Sequence, residues 1–282
     1  MKGEKKYVNR RVLLATLAAL VLAGPAWAEK TAKGPLKVFI LAGQSNMEGH
    51  GRIAGSQKGT LETLSKDPAT AARYKHLLDK DGNWIVRDDV WLSYYDTKCP
   101  LTIGKSAARN AIGPELSFGW VVGDQYKGMI AGVKKQLDNL KTDFPDYDGR
   151  GYEFAGFVWF HGWNDMCTRP AVPEYEQNVV NLINDVRKEF KAPKLPVIIG
   201  ELGNGGRPAK GAMLAIRKAQ AAAAERPEFK GNVLFVKTAE FARPREQSPN
   251  TGHGHHWFGN AECYFLIGNA LGEGMKTLLD KE

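Results

Sequence analysis

Leu36-Lys37-Val38-Phe39-Ile40-Leu41-Ala42, closed by Gly43, is a short run of apolar, β-forming side chains. It is too short for a stable helix, and it is apolar on both parities, as a strand covered on both faces of a sheet must be. Four later runs share this character: Val90–Tyr95, Phe154–Phe160, Pro196–Gly200 and Asn232–Val236. Apolar residues recur at helical spacing over Pro114–Tyr126, Gly128–Leu140, Val172–Phe190, Lys210–Glu225 and Ala261–Leu279. Strands alternating with helices build βαβ units, so the chain reads as an α/β domain with a parallel sheet between helical layers.

Two stretches break the rhythm. Residues 52–89 are polar, with one helical portion near Leu61–Lys80, and read as an insertion above the sheet. Residues 97–112 read as a long loop. No internal repeat or low-complexity tract is visible, and one domain is expected over residues 29–282.

The 282 residues, 43% of them hydrophobic and 31 of them glycine, exclude a disordered chain, a coiled coil and a small disulfide scaffold. Residues 1–28 have the layout of a signal peptide: Lys2, Lys5, Lys6, Arg10 and Arg11, then the apolar Val12–Leu22, then Ala26-Trp27-Ala28. The apolar run is shorter than the ~20 residues a membrane span needs, which disfavours an uncleaved anchor. Its removal takes five basic residues and one acidic residue and lowers the net charge from +8 to +4. That balance, with no Lys/Arg block, gives no case for nucleic-acid binding. The expectation is an exported protein, periplasmic or secreted, with no membrane contact after cleavage. Cys99, Cys167 and Cys263 allow at most one internal bridge, and none stands in a CxxC pair.

In parallel sheets, ligands bind beyond the carboxyl ends of the strands. Three such positions carry chemistry here. Gly43-Gln44-Ser45-Asn46-Met47 follows the first strand and presents a hydroxyl where a helix start favours an oxyanion. Met47 replaces the second glycine of a nucleophile elbow, so an ordinary lipase is disfavoured. On its own, Ser45 reads equally well as a helix N-cap. His161-Gly162-Trp163-Asn164-Asp165 follows the third run, and an amide there can donate to an oxyanion as an ionised carboxylate cannot. The same residues also suit a turn capping the next helix. Gly252-His253-Gly254-His255-His256-Trp257 precedes the last helix and offers a neutral imidazole to take the serine proton.

Together and in this order, these blocks resemble the SGNH-hydrolase superfamily, and within it the sialate O-acetylesterase domain of the family-six carbohydrate esterases. Gly43–Met47 is similar to the nucleophile block, Gly113-Pro114-Glu115 to the second and His161–Asp165 to the third. The resemblance extends from Lys37 to the C-terminal helix. It implies a flavodoxin-like α/β/α sandwich with a five-stranded parallel sheet, and a serine esterase needing no metal or cofactor that acts on acetylated sugars. It further implies Ser45 as nucleophile and His256 as base, with an oxyanion hole from Ser45, Gly113 and Asn164. Gln44, Glu115, His161 and Asp165 are expected to support the site.

Two departures stand out. His161 occupies a place where the pattern usually has glutamine. The acid that ordinarily lies three residues before the base is replaced by His253, and taking His255 as the base would put Gly252 there. Either a carboxylate comes from elsewhere, with Glu240 and Glu246 as candidates, or the pair works as a Ser–His dyad. His50, in Gly49-His50-Gly51, reads as a turn residue near the substrate, and Trp163, Trp257 and Phe258 as aromatic surfaces beside the site. Two rival readings are a catalytically inert sugar-binding protein and a metal hydrolase ligated by His253, His255, His256 and Asp165. Composition is silent on the sugar, the acylated position and the oligomeric state.

Overall fold

The computed structural model describes residues 34–94, 97–106, 108, 110–123, 129–131, 137, 139–145 and 147–281. The expected signal peptide lies outside them. Nine strands are described: β1 Leu36–Gly43, β2 Gly51–Arg52, β3 Arg87–Tyr94, β4 Thr97–Leu101, β5 Ala111–Ile112, β6 Met129–Ala131, β7 Tyr152–Phe160, β8 Val197–Gly200 and β9 Val233–Val236. Seven of these form one sheet in the order β4-β3-β6-β1-β7-β8-β9, while β2 and β5 pair separately. Only β4 runs antiparallel in the large sheet.

The two faces of the sheet follow from strand alternation. Phe39, Val158 and Ile198 point into one core, shared with the helices Pro114–Gly123 and Ala261–Leu279. Their chain neighbours Ile40, Phe157, Val197 and Ile199 point into the other, shared with Tyr175–Glu189 and Gly211–Ala224. This is the expected α/β/α sandwich. Its strands β6-β1-β7-β8-β9 follow the flavodoxin-like order, and β3 and β4 widen the sheet beyond the expected five.

Three local expectations are corrected. The loop expected over 97–112 contains β4 and β5, and Pro100 fits the sheet there because β4 lies at the edge. The helix expected over 128–140 begins instead with β6, a strand too short to show a period. The helix expected over 61–80 breaks into Leu61–Lys66, Ala71–Tyr74 and a 3-10 turn. Pro68 holds Asp67 in an extended conformation, which ends the first piece. The last helix has the expected bounds, with the Asn260 side chain accepting the Glu262 N–H at 2.9 Å. No helix among the described residues is long and apolar enough to cross a membrane.

The chain leaves β1 toward β3 and β6 on one side, while β7 lies on the other. The crevice at the carboxyl ends of β1 and β7 is therefore the switch point where such sheets bind ligands.

Candidate active site

β1 and β7 run in register to their last residues, Gly43 opposite Phe160. A side chain at Gly43 would place Cβ only 2.1 Å from the Phe160 carbonyl oxygen, so glycine is needed for this approach. The chain then turns at once into the one-turn helix Ser45–Glu48, which ends at Gly49 with φ 85°. Gly49 packs backbone to backbone on Gly113, where a Cβ would come within 2.2 Å of the Gly113 Cα. Ser45 is thus held at the rim between β1, β7 and the segment entering the Pro114–Gly123 helix.

The imidazole of His256 meets it there. His256 Nε2 lies 2.9 Å from Ser45 Oγ, joining residues 211 positions apart. His256 belongs to the tight turn Gly254–Gly259, in which Trp257 and Phe258 adopt left-handed φ values of 51° and 54°. Two successive non-glycine residues in that region store strain that the surroundings must offset. The surroundings do so through the backbone. The His255 carbonyl accepts from Asn46 Nδ2 at 3.1 Å and from Asn204 Nδ2 at 2.9 Å. Tyr264, on the last helix, donates its hydroxyl to Asn46 Oδ1 at 3.0 Å.

On its other face, the His256 ring stacks on His50, with centroids 3.8 Å apart and planes within 6°. Burial, and then the neighbouring His50, His255 and His253, push the His256 imidazole down to about 4. It is therefore neutral at pH 7, and with Nδ1 carrying its proton, Nε2 can accept one from Ser45. Among the described residues, no carboxylate is hydrogen-bonded to His256. Glu240 is exposed and lies 3.5 Å from Arg207, and Glu246 sits in the exposed turn Arg245–Gln247. His255 turns its ring toward Trp163, at a centroid distance of 6.0 Å.

The remaining expected residues surround the pair. Gln44 Oε1 lies 3.5 Å from both the Gly162 and Asn164 N–H groups and so ties the Ser45 turn to the turn after β7. Asn164 is exposed on the short helix Trp163–Cys167. The Gly113 N–H donates to Glu115 Oε1 at 3.0 Å, so this donor is shared with a side chain in the resting site. Glu115 Oε2 is buried without a hydrogen-bond partner among the described residues, and burial pushes that carboxyl up to about 7. His161 lies 3.4 Å from Asp165 Oδ2 and stacks on Trp159. Burial lowers its pKa, although Asp165 opposes this.

A cavity of about 690 Å³ opens beside His256, lined by His50, Arg52, Asn110, Asn250 and His253 among others. That volume is in the range of small-molecule sites. Trp257 is buried at 3% exposure, so it packs the core and offers no sugar-facing surface. The ring nitrogens of His253, His255 and His256 lie within 4.8 Å of one another, and Asp165 stands apart from them with His161.

Sequence reasoning did not anticipate His50 as the stacking partner of His256, nor Asn46 and Asn204 as anchors of its loop. A signal for Asn204 existed, since it follows β8 at the same rim of the sheet. Asn46 lies inside the nucleophile block itself.

The sequence matches the family described as carbohydrate esterase, sialic acid-specific acetylesterase, over residues 35–133 and 120–263. No curated protein matches it. Among solved structures, it is similar to a protein of Arabidopsis thaliana at 18% identity and TM-score 0.54, over 86% of this chain and 98% of that one. It is also similar to a carbohydrate acetylesterase from Xanthomonas citri at 12% identity and TM-score 0.50, covering 87% of this chain and 57% of that one. At these identities the two structures support the fold.

Proposed function

The chain belongs to the sialic acid-specific acetylesterase family of carbohydrate esterases and is an ester-bond hydrolase, and from that premise we propose a serine mechanism acting on O-acetylated sugars. The observation that carries it is the 2.9 Å contact between Ser45 Oγ and His256 Nε2 at the switch point of the sheet.

In this reading, Ser45 Oγ attacks the acetyl carbonyl while His256 Nε2 takes its proton. The Ser45 N–H, at the start of a helix, and the Asn164 amide hold the developing oxyanion. The Gly113 N–H joins them by exchanging its bond to Glu115 Oε1 for one to the oxyanion. His256 then protonates the departing sugar oxygen, and the acetyl group stays on Ser45. Water next attacks that ester, His256 takes the water's proton, and acetate leaves as Ser45 regains it.

Among the described residues, none of the carboxylates is hydrogen-bonded behind the imidazolium formed on the way. The stacking on His50 and the two amides on the His255 carbonyl supply the ring orientation that an acid gives in a triad. The site therefore works as a dyad whose base is aimed by its loop. The cavity beside His256 takes the sugar, with Arg52, Asn110 and Asn250 as its polar lining. Export, expected from residues 1–28, suits an enzyme whose substrates are glycans outside the cytoplasm.

Ser45→Ala tests the mechanism. Turnover of an aryl acetate, and acetate release from acetylated glycans, should fall by a factor on the order of 10³ or more while thermal unfolding is unchanged. Turnover by the variant at the wild-type rate would remove Ser45 from the mechanism.

A further inference from the structure

The serine mechanism uses one imidazole of the 253–256 turn and leaves two. His253 and His255 bring their ring nitrogens within 4.8 Å of each other and of a nitrogen of His256. Ring centroids are 4.1 Å apart for His255 and His256, and 5.3 Å for His253 and His255. Two imidazole nitrogens on one tetrahedral zinc ion lie about 3.4 Å apart, given zinc–nitrogen bonds of roughly 2.1 Å. Small side-chain rotations close the remaining gap. His253 is exposed and lines the open cavity, so an ion has a path to the cluster. Three nitrogen donors with an open fourth position form a donor set that suits zinc and its borderline neighbours, copper(II) and nickel(II).

We propose that His253, His255 and His256 form a binding site for a divalent transition-metal ion, zinc foremost, and that occupancy reversibly switches the esterase off. The inhibitory half rests on the serine reading above; the binding half does not.

The switch follows from the chemistry of imidazole. A neutral ring has one acceptor nitrogen and one N–H. If the metal takes the Nε2 lone pair, Ser45 loses its acceptor directly. If it takes Nδ1, the ring proton must sit on Nε2, which then faces Ser45 Oγ as a donor. In either case His256 cannot accept the serine proton. The ion also adds positive charge beside a ring that must become cationic during catalysis. Neither a redox step nor a metal-bound nucleophile is involved, and removing the ion restores the base.

The experiment uses the full chain and zinc chloride, read in two ways. Aryl acetate turnover is measured against zinc concentration for the wild type, His255→Gln and Cys167→Ser, and chelator is then added. Zinc binding is measured separately by titration calorimetry on Ser45→Ala, where turnover plays no part. The expected result is inhibition that chelator reverses, with His255→Gln needing at least about tenfold more zinc than the wild type. Cys167→Ser should behave as wild type, and Ser45→Ala should bind one ion that Ser45→Ala/His255→Gln binds more weakly. Inhibition equal in His255→Gln and wild type, or lost in Cys167→Ser alone, would overturn the site, as would calorimetry without binding. If Ser45→Ala retained full turnover, the serine reading would fail while the calorimetric result still judged the site.

Discussion

Asn164 stands exposed at the rim with its N–H directed to Gln44, leaving the side-chain amide available to a developing oxyanion. Asn164→Ala should lower kcat on an aryl acetate by roughly 10²–10³ with little change in thermal stability. An unchanged kcat would take the amide out of the oxyanion hole. Glu115 makes a different prediction. Its carboxyl is raised from an ordinary 4.5 to about 7, so the folded chain holds a proton there that the unfolded chain releases earlier. Its contribution to stability is therefore greatest below about pH 4.5 and declines as pH rises toward 7. Glu115→Gln keeps an oxygen for the Gly113 N–H and removes the titration. Urea unfolding should show the variant gaining on the wild type as pH rises from about 5 to 8, by at most about 3 kcal/mol. A difference that does not vary with pH would show that this carboxyl is not the source. Asn164 was legible from its place after a strand, and Glu115 from the resemblance of Gly113-Pro114-Glu115 to a family block. Their partners were not, because a hydrogen bond between loops depends on where the loops meet.

The helices Pro114–Gly123 and Ala261–Leu279 join the Ser45 side of the site to the His256 side. They approach closely at Gly268, where a Cβ would lie 2.1 Å from the Pro114 carbonyl oxygen and 2.4 Å from Ser117 Oγ. The Ser117 hydroxyl also donates to the Phe265 carbonyl at 2.6 Å across this contact. Gly268→Ala should force the helices apart and cost about 1–3 kcal/mol in urea unfolding, even though alanine is the better helix former. Stabilisation by this change would mean that the contact is looser than the structure has it. The long elements were readable because each buries one periodic face over several turns. The short ones, β4, β5 and β6, were misread because a few residues carry no period and their pairing is decided by strands far away in the chain.

All three cysteines are free, and they sit in unlike places: Cys99 part-buried on β4, Cys167 exposed, and Cys263 in the core, where burial pushes its thiol up to about 12. The folded protein should react with a thiol reagent first at Cys167, and at Cys263 only on unfolding, and a reductant should leave Tm unchanged. Rapid native labelling of Cys263, or a Tm lowered by reductant, would contradict this placement. Stability of the whole fold therefore rests on the two apolar layers either side of the sheet. Residues 52–89 complete that packing, with Leu61, Leu64, Tyr74 and Leu77 buried in the same core as the last helix.

The amino-acid sequence determined the class of the fold, the strands β1, β3, β7, β8 and β9, the last helix, and the presence of a serine and an amide at strand ends and of a histidine before the last helix. These follow from local period, turn chemistry and strand-end position, which neighbouring residues are enough to set. Tertiary structure alone put His256, which the resemblance singles out among three histidines in four residues, 2.9 Å from Ser45 Oγ. It also decided that His50 stacks behind it, that Asn46 and Asn204 hold its loop, and that no carboxylate among the described residues bonds to it. Each of these is a contact between segments tens to hundreds of residues apart, and their relative placement is an outcome of packing the sheet between its helices.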